Sequence, residues 1–126
     1  SILMAGQNAS DKRLKKNISE FDNKLENIFD TLKPVQFEYT TDNLGLGKRF
    51  GYLAQDVIES FENEGENIED YSLVYETAAE DNADEKYYQL NKAEFIALNT
   101  WQIQKLKNRI AELENRLEAL ERNDTK

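Results

Sequence analysis

The stretch IALNTWQIQKLKNRIAELENRLEAL, residues 96–120, decides how the rest of the chain is read. Within it Ile96, Asn99, Ile103, Leu106, Ile110, Leu113, Leu117 and Leu120 recur at alternating steps of three and four, the heptad spacing of a coiled coil. With Ile103 at position a, Leu106 falls at d, and the phase runs unbroken through Leu120. So narrow a stripe serves a partner helix rather than an isolated one. Arg109 at g faces Glu114 at e of a parallel neighbour, and Arg116 faces Glu121 in the same way. The expected partners are parallel copies of this chain.

Oligomer size has two signals. Arg109-Ile110-Ala111-Glu112-Leu113-Glu114 and Arg116-Leu117-Glu118-Ala119-Leu120-Glu121 both resemble the Arg-apolar-x-x-apolar-Glu motif of short parallel three-stranded coils. Ile at a with Leu at d leans instead toward two strands. The tandem motif, in register, is given the greater weight, and a homotrimer is expected. The plain alternative is a charge-laced helix whose one apolar face packs on its own domain.

Outside the coil, roughly ninety of the 126 residues remain for one small domain, a size at which an oligomer often contributes to stability. A third of the chain is charged, and the net charge is -9 with a pI near 4.6, which argues against a nucleic-acid partner held on a general basic surface. No cysteine is present, so disulfides and thiolate chemistry are excluded. Histidine, the commonest metal ligand and general base, is also absent. No metal, cofactor or membrane partner is expected; the apolar run Ile2–Ala5 is far too short to span a bilayer.

Residues 1–9 read as a loose segment ending something longer upstream. A charged block follows abruptly, Ser10-Asp11-Lys12-Arg13-Leu14-Lys15-Lys16-Asn17-Ile18. Its Ser10, Asp11, Arg13, Leu14, Lys15 and Ile18 resemble the Ser-Asp-x-Arg-Leu-Lys-x-x-Ile signature that opens the C-terminal intramolecular chaperone domain of phage tailspikes, tail fibres and neck appendages, the endosialidase type. Phe50-Gly51-Tyr52-Leu53-Ala54-Gln55-Asp56-Val57 is similar to that family's Gly-aromatic-x-Ala-Gln-acidic-Val element. The strand Tyr87-Tyr88-Gln89-Leu90 before a long terminal helix completes the order, so the likeness covers Ser10 to about Leu120.

The resemblance implies a chaperone that helps a homotrimeric fibre protein assemble in the host cytoplasm and then cuts itself off before the motif serine. Carried over by position, Ser10 is the nucleophile, Lys15 the base and Ala9–Ser10 the scissile bond; Asp11, Arg13 and Gln55 are candidate supporting or oxyanion groups. The partners it implies are two further copies of the chain and the upstream domain of the same precursor. A permanent clamp that never cleaves is the competing reading.

Chemistry sets conditions on the dyad. With no histidine, lysine is the natural base for a serine hydroxyl. An ordinary lysine titrates near about 10.4, so Lys15 needs burial or nearby positive charge to work near about 7–8. Lys12, Arg13 and Lys16 supply charge, while Asp11 opposes it. Five residues of ideal helix rotate about 500°, so Ser10 and Lys15 do not share a helical face. Either Ser10 lies in a segment that bends back, or Lys15 comes from another chain. The structural alternative makes Ser10 an N-cap and the basic block a solvated face.

The remaining expectations define an α+β head over residues 10–90 and a trimerisation helix over 91–126. Ser19 with Asp22 approximates a capping box for a helix carrying Phe21, Leu25, Ile28, Phe29 and Leu32, ended by Pro34 and packed on a sheet. Val35, Phe37 and Tyr39 alternate as a strand, Thr41–Lys48 turns the chain, and Arg49–Leu53 returns. Ala54–Phe61 reads as a helix; its Gln55 is either an oxyanion donor or a buried structural amide. Tyr71–Tyr75 and Tyr87–Leu90 form a second hairpin, whose acidic tract Ala79–Glu85, with Glu80, Asp81, Asp84 and Glu85, lacks the ordered spacing of a calcium loop. Asn91 and Glu94 read as an N-cap pair launching the last helix, and Trp101, off the a/d seam, is expected to pack on the head.

Overall fold

The computed structural model describes residues 8–79 and 81–124. Most of the expected upstream junction, residues 1–7, and Glu80 of the acidic tract therefore lie outside the described residues. The elements run α1 (Asn23–Thr31), β1 (Val35–Phe37), β2 (Arg49–Gly51), α2 (Ala54–Asn63), β3 (Val74–Ala78), β4 (Lys86–Leu90) and α3 (Glu94–Asp124). The fold is α+β: a small head with two separate antiparallel strand pairs, followed by one long helix.

Helix α1 begins one turn later than the expected box. Asp22, not Ser19, is the N-cap; its backbone is extended and its carboxylate accepts from the Leu25 N–H at 3.3 Å. Phe21 stays outside the helix and instead meets Trp101 edge-on, with ring centroids 5.2 Å apart. Leu32 caps the other end in an extended conformation two residues before Pro34, which disfavours helix at Lys33. The helix packs chiefly on α2 rather than on a sheet. Its Ile28 is wholly buried beside Val57, Phe61, Leu73, Phe95 and Leu98, so the core lies between α1, α2 and the first turns of α3. Neither strand pair is wide enough to offer α1 a packing surface.

Helix α2 ends on a left-handed glycine. Gly65 has φ of 75°, its N–H reaches the Glu62 carbonyl at 2.9 Å, and the Glu66 N–H reaches that of Phe61 at 3.0 Å, the Schellman pattern. This turn delivers Glu66 to Lys24 of α1 at 3.2 Å and to the Tyr71 hydroxyl at 3.3 Å. One carboxylate thus ties α1, the end of α2 and the lead into β3. Burial, with the Glu66 charge second, raises the Tyr71 phenol above its ordinary value. The neutral phenol is the form the fold holds, so this contribution is present below the unfolded value and is lost as pH rises through the folded one.

β1 and β2 pair in the register Val35↔Gly51, Gln36↔Phe50 and Phe37↔Arg49. β3 and β4 form a longer ribbon, from Val74↔Leu90 to Ala78↔Lys86, shifted from the expected hairpin because Tyr71 joins the core. Only Val74 and Leu90 at its base are half-buried; the rest of the ribbon is exposed. At its tip Ala79 donates to the Glu85 carbonyl at 2.8 Å, and the Asn82 side chain accepts from the Asp84 N–H at 3.1 Å. No metal-holding cluster occurs among the described residues.

The entry into α3 uses Asn91 through its backbone: the Asn91 carbonyl, rather than its side chain, accepts from the Glu94 N–H at 3.1 Å. The helix then presents two apolar faces. Phe95, Leu98, Trp101, Gln102 and Lys105 turn to the head; Trp101 packs on Phe21 as expected, and Lys105 pairs with Glu26 while its Nζ stands 4.8 Å over the Trp101 ring. Those residues occupy heptad positions c, f and g. At about 100° per residue their mean direction lies roughly 120° from the a/d seam. Ile103, Leu106, Ile110, Leu113, Leu117 and Leu120 all remain exposed. The plain alternative, in which the single apolar face is the one on the head, does not describe this helix.

Phe61→Ala is expected to destabilise the head by about 3–5 kcal/mol through the cavity it leaves. Gly65→Ala places a methyl with no atom within 4 Å, so its cost is the left-handed backbone alone, about 1–2 kcal/mol. Thermal unfolding followed by the near-ultraviolet signal of Trp101 ranks the two. Equal losses would mean that the α2 terminus, rather than the core, limits stability.

Candidate active site

The basic block folds into a single 3-10 turn, Lys12–Leu14, and the cap of that turn sets the geometry of everything near it. Asp11 is the N-cap. Its Oδ1 accepts from the Arg13 N–H at 2.9 Å and from Arg13 Nε at 3.1 Å, while Oδ2 accepts from Arg13 Nη2 at 2.8 Å. The backbone closes the turn through Leu14 N–H to the Asp11 carbonyl at 3.0 Å and Lys15 N–H to the Lys12 carbonyl at 3.2 Å. Lys15 leaves in an extended conformation, with φ -116° and ψ 147°. Its side chain doubles back to the residue before the cap, and Nζ donates to Ser10 Oγ at 2.8 Å.

Three expectations meet this geometry. The segment does bend back, so the Ser10–Lys15 contact forms within one chain and needs no lysine from a neighbour. Ser10 is not an N-cap; Asp11 takes that position and leaves the serine hydroxyl to Lys15. Gln55 is not a buried amide: it is exposed at the second position of α2, and no hydrogen bond joins it to Ser10 or Lys15 among the described residues. A side chain in the first turn of a surface helix points to solvent unless something packs over it, and none of the described residues does so here.

Electrostatics hold the turn together at neutral pH. The hydrogen bonds from Arg13 keep the Asp11 carboxyl below the usual carboxylate range, and Asp11 in return raises the Arg13 guanidinium. A depressed carboxyl contributes above its unfolded value, near about 3.9, and the contribution is lost as pH falls through the folded one. The cap is therefore intact wherever Asp11 is ionised, and Asp11 and Arg13 bond to each other, with no hydrogen bond from either side chain to Ser10 or Lys15 among the described residues. Asn17, with φ of 52°, then turns the chain toward Ile18 in a left-handed conformation that Asn tolerates better than most residues.

Residues 10–22 are exposed throughout, including the apolar Leu14 and Ile18. Nothing among the described residues encloses the pair. An open depression lined by Gln36, Phe37, Glu38 and Lys48 contains neither dyad residue. In the contact as it stands Lys15 Nζ donates and Ser10 Oγ accepts; a base at this position takes the hydroxyl proton instead. Leu14 and Ile18 were legible only as letters of a motif. Their exposure beside the dyad is a property of the fold.

On the coil, Arg109 and Arg116 both reach Glu112 of their own helix, at 3.2 and 2.8 Å. Glu114 and Glu121, the expected acceptors from a neighbour, make no ion pair among the described residues. Intrahelical pairs of this kind are weak and exchange readily.

Comparison with known proteins bears on both parts. A family model described as the chaperone of endosialidase matches residues 10–66, opening at Ser10 itself. A solved structure described as the crystal structure of a novel intramolecular chaperone superposes with a TM-score of 0.63 at 25% identity, over 79% of this chain and 99% of that one. No curated protein matches. The serine-led motif, the two-hairpin head on a long helix, and the two matches together support the likeness of this chain to the C-terminal intramolecular chaperone domain of the endosialidase type.

Proposed function

We propose that this chaperone works as a parallel trimer and ends its task by cutting its own chain between Ala9 and Ser10. The observation that carries the proposal is the 2.8 Å hydrogen bond between Lys15 Nζ and Ser10 Oγ, made on the residue that follows the scissile bond.

The nucleophile sits one residue past the carbonyl it attacks. Ser10 Oγ therefore reaches the Ala9 carbonyl carbon through a five-membered ring, while neutral Lys15 takes the hydroxyl proton. Collapse of the ring breaks the Ala9–Ser10 C–N bond, and Lys15 returns the proton to the departing α-amine of Ser10. Ala9 is then held as an ester on Oγ. Water, activated by the same lysine, hydrolyses that ester and frees the upstream protein. The reaction consumes one water and occurs once per chain.

Trimerisation comes from the exposed a/d seam of α3. Each of Ile103, Leu106, Ile110, Leu113, Leu117 and Leu120 leaves apolar surface in water that a parallel neighbour covers. Bringing three upstream chains together raises their effective concentration for one another, which lowers the cost of starting an interwoven fibre. Cutting removes the clamp once the fibre is held kinetically. The setting for this sequence is the host cytoplasm during virion assembly. The same assembly supplies what the isolated dyad lacks, since packing against Leu14 and Ile18 keeps water from the pair and favours an uncharged amine.

Fused behind a longer upstream segment, the parent is expected to lose that segment at Ala9. Ser10→Ala and Lys15→Ala should retain it, with a rate loss of at least about 10³-fold. Intact mass under denaturing conditions reads all three, and three uncut chains that still sediment as trimers would make a permanent clamp the better reading. Asp11→Asn keeps both dyad residues but loosens the turn, so cutting should slow by roughly tenfold, about 1.4 kcal/mol of misplacement. Leu113→Asp should drop the sedimenting species to a monomer and stop cutting with it. A cutting monomer would separate the two halves of the proposal.

A further inference from the structure

The head carries an apolar surface that the coil reading does not account for. Along β2 the side chains alternate: Arg49 shares a face with Phe37, and its guanidinium stands 5.5 Å from the Tyr39 ring centre. Phe50 lies on the opposite face with Gln36, and β2 ends at Gly51, just before Tyr52. Tyr52 stacks on Phe95 of α3, with centroids 4.8 Å apart and planes 18° from parallel. Phe50, two residues before Tyr52, is 79% exposed. Ile96, next after Phe95, is 68% exposed, and Leu53, next after Tyr52, is 48% exposed. Three exposed apolar residues thus adjoin, in the chain, one aromatic stack between β2 and α3.

Charge singles out the same place. A third of this chain is charged, but 50–55 (FGYLAQ) and 95–104 (FIALNTWQIQ) contain no charged residue, and these two runs meet at the Tyr52–Phe95 stack. Copies of a chain with net charge -9 repel one another across ordinary surface. Here they do not. Ile96 is also the first a position of the seam, so the patch continues the surface that parallel helices cover.

We infer that Phe50, Leu53 and Ile96 form a head-to-head contact with a second copy of this chain, so that the interface extends from the coil into the globular part. This rests on the trimeric reading of α3 and specifies its upper end. Parallel helices set Ile96 of every copy at one level beside the axis, and the Tyr52–Phe95 stack fixes β2 to that level in each head. The contact therefore orients the heads, and with them the arms that bear Ser10 and Lys15.

The absence of cysteine permits a direct test in the full chain. Single-cysteine variants Phe50→Cys and Leu53→Cys probe the patch, and Glu59→Cys, exposed on α2, is the control. The two patch variants should form covalent oligomers with a short bismaleimide and react with maleimide at least about tenfold more slowly than the control, because access governs thiol reaction. Sedimentation of each variant is measured alongside. Trimers whose patch cysteines label as fast as Glu59→Cys, without cross-links, would overturn the head contact and leave the coil standing. A parent chain that sediments as a monomer would overturn both. Two patch probes are used so that, if one variant misfolds, the other still decides the outcome.

Discussion

Helix α3 has to satisfy two surfaces at once, and the rest of the molecule follows from that. Its first turns supply Phe95 and Leu98 to the core, and Trp101 and Lys105 to a clasp with Phe21 and Glu26. Its a/d seam, turned roughly 120° away, stays bare of the head. Because the head-facing side is at c, f and g, the head does not compete for the seam. One rigid element thereby links folding of the small head to whatever the seam binds.

That linkage matters because the head is thin. Its fully buried side chains are few, with Phe61, Ile28 and Val57 the largest, and its two strand pairs are separate ribbons rather than one sheet. Two-stranded ribbons are marginal by themselves in water. Among the described residues, the β3–β4 ribbon is held at its base, by Val74, Leu90 and the bond from Asn91 N–H to the Leu73 carbonyl at 2.8 Å. A fold so economical in core has little stability to spare.

The dyad arm is organised differently, by local polar bonds instead of packing. Asp11 and Arg13 close a six-residue turn from Ser10 to Lys15, and no described side chain of the head buries it. Its nearest anchor is Phe21 on Trp101, at the point where α3 leaves the head. The Ser10–Lys15 contact is thus built into the chain, while its burial is not. In the proposed cycle this division separates forming the site from switching it on: sequence-local bonds do the first, and neighbouring copies the second.

Much of this was legible in the residues. The heptads, the helix stop at Pro34, the returns of both hairpins and the placing of Trp101 off the seam depend on periodicity and backbone sterics, which are local. The Ser10–Lys15 pair was legible as a pattern, and the rotation argument left two arrangements, bending back or borrowing from a neighbour. Only the tertiary structure chose the first, because a 3-10 turn capped by Asp11 rather than by Ser10 depends on which of two adjacent polar side chains wins the cap. The Asp22 cap was decided the same way, once Phe21 was drawn onto Trp101. Packing partners were likewise beyond the sequence: α1 lies on α2, and Gln55 is exposed, since both depend on surfaces assembled from distant segments. The sequence by itself determined that α3 carries an unshared apolar seam and that a serine and a lysine stand five residues apart. The fold decided that the seam stays uncovered and that the two side chains meet, because burial and chain reversal are properties of the whole chain in space.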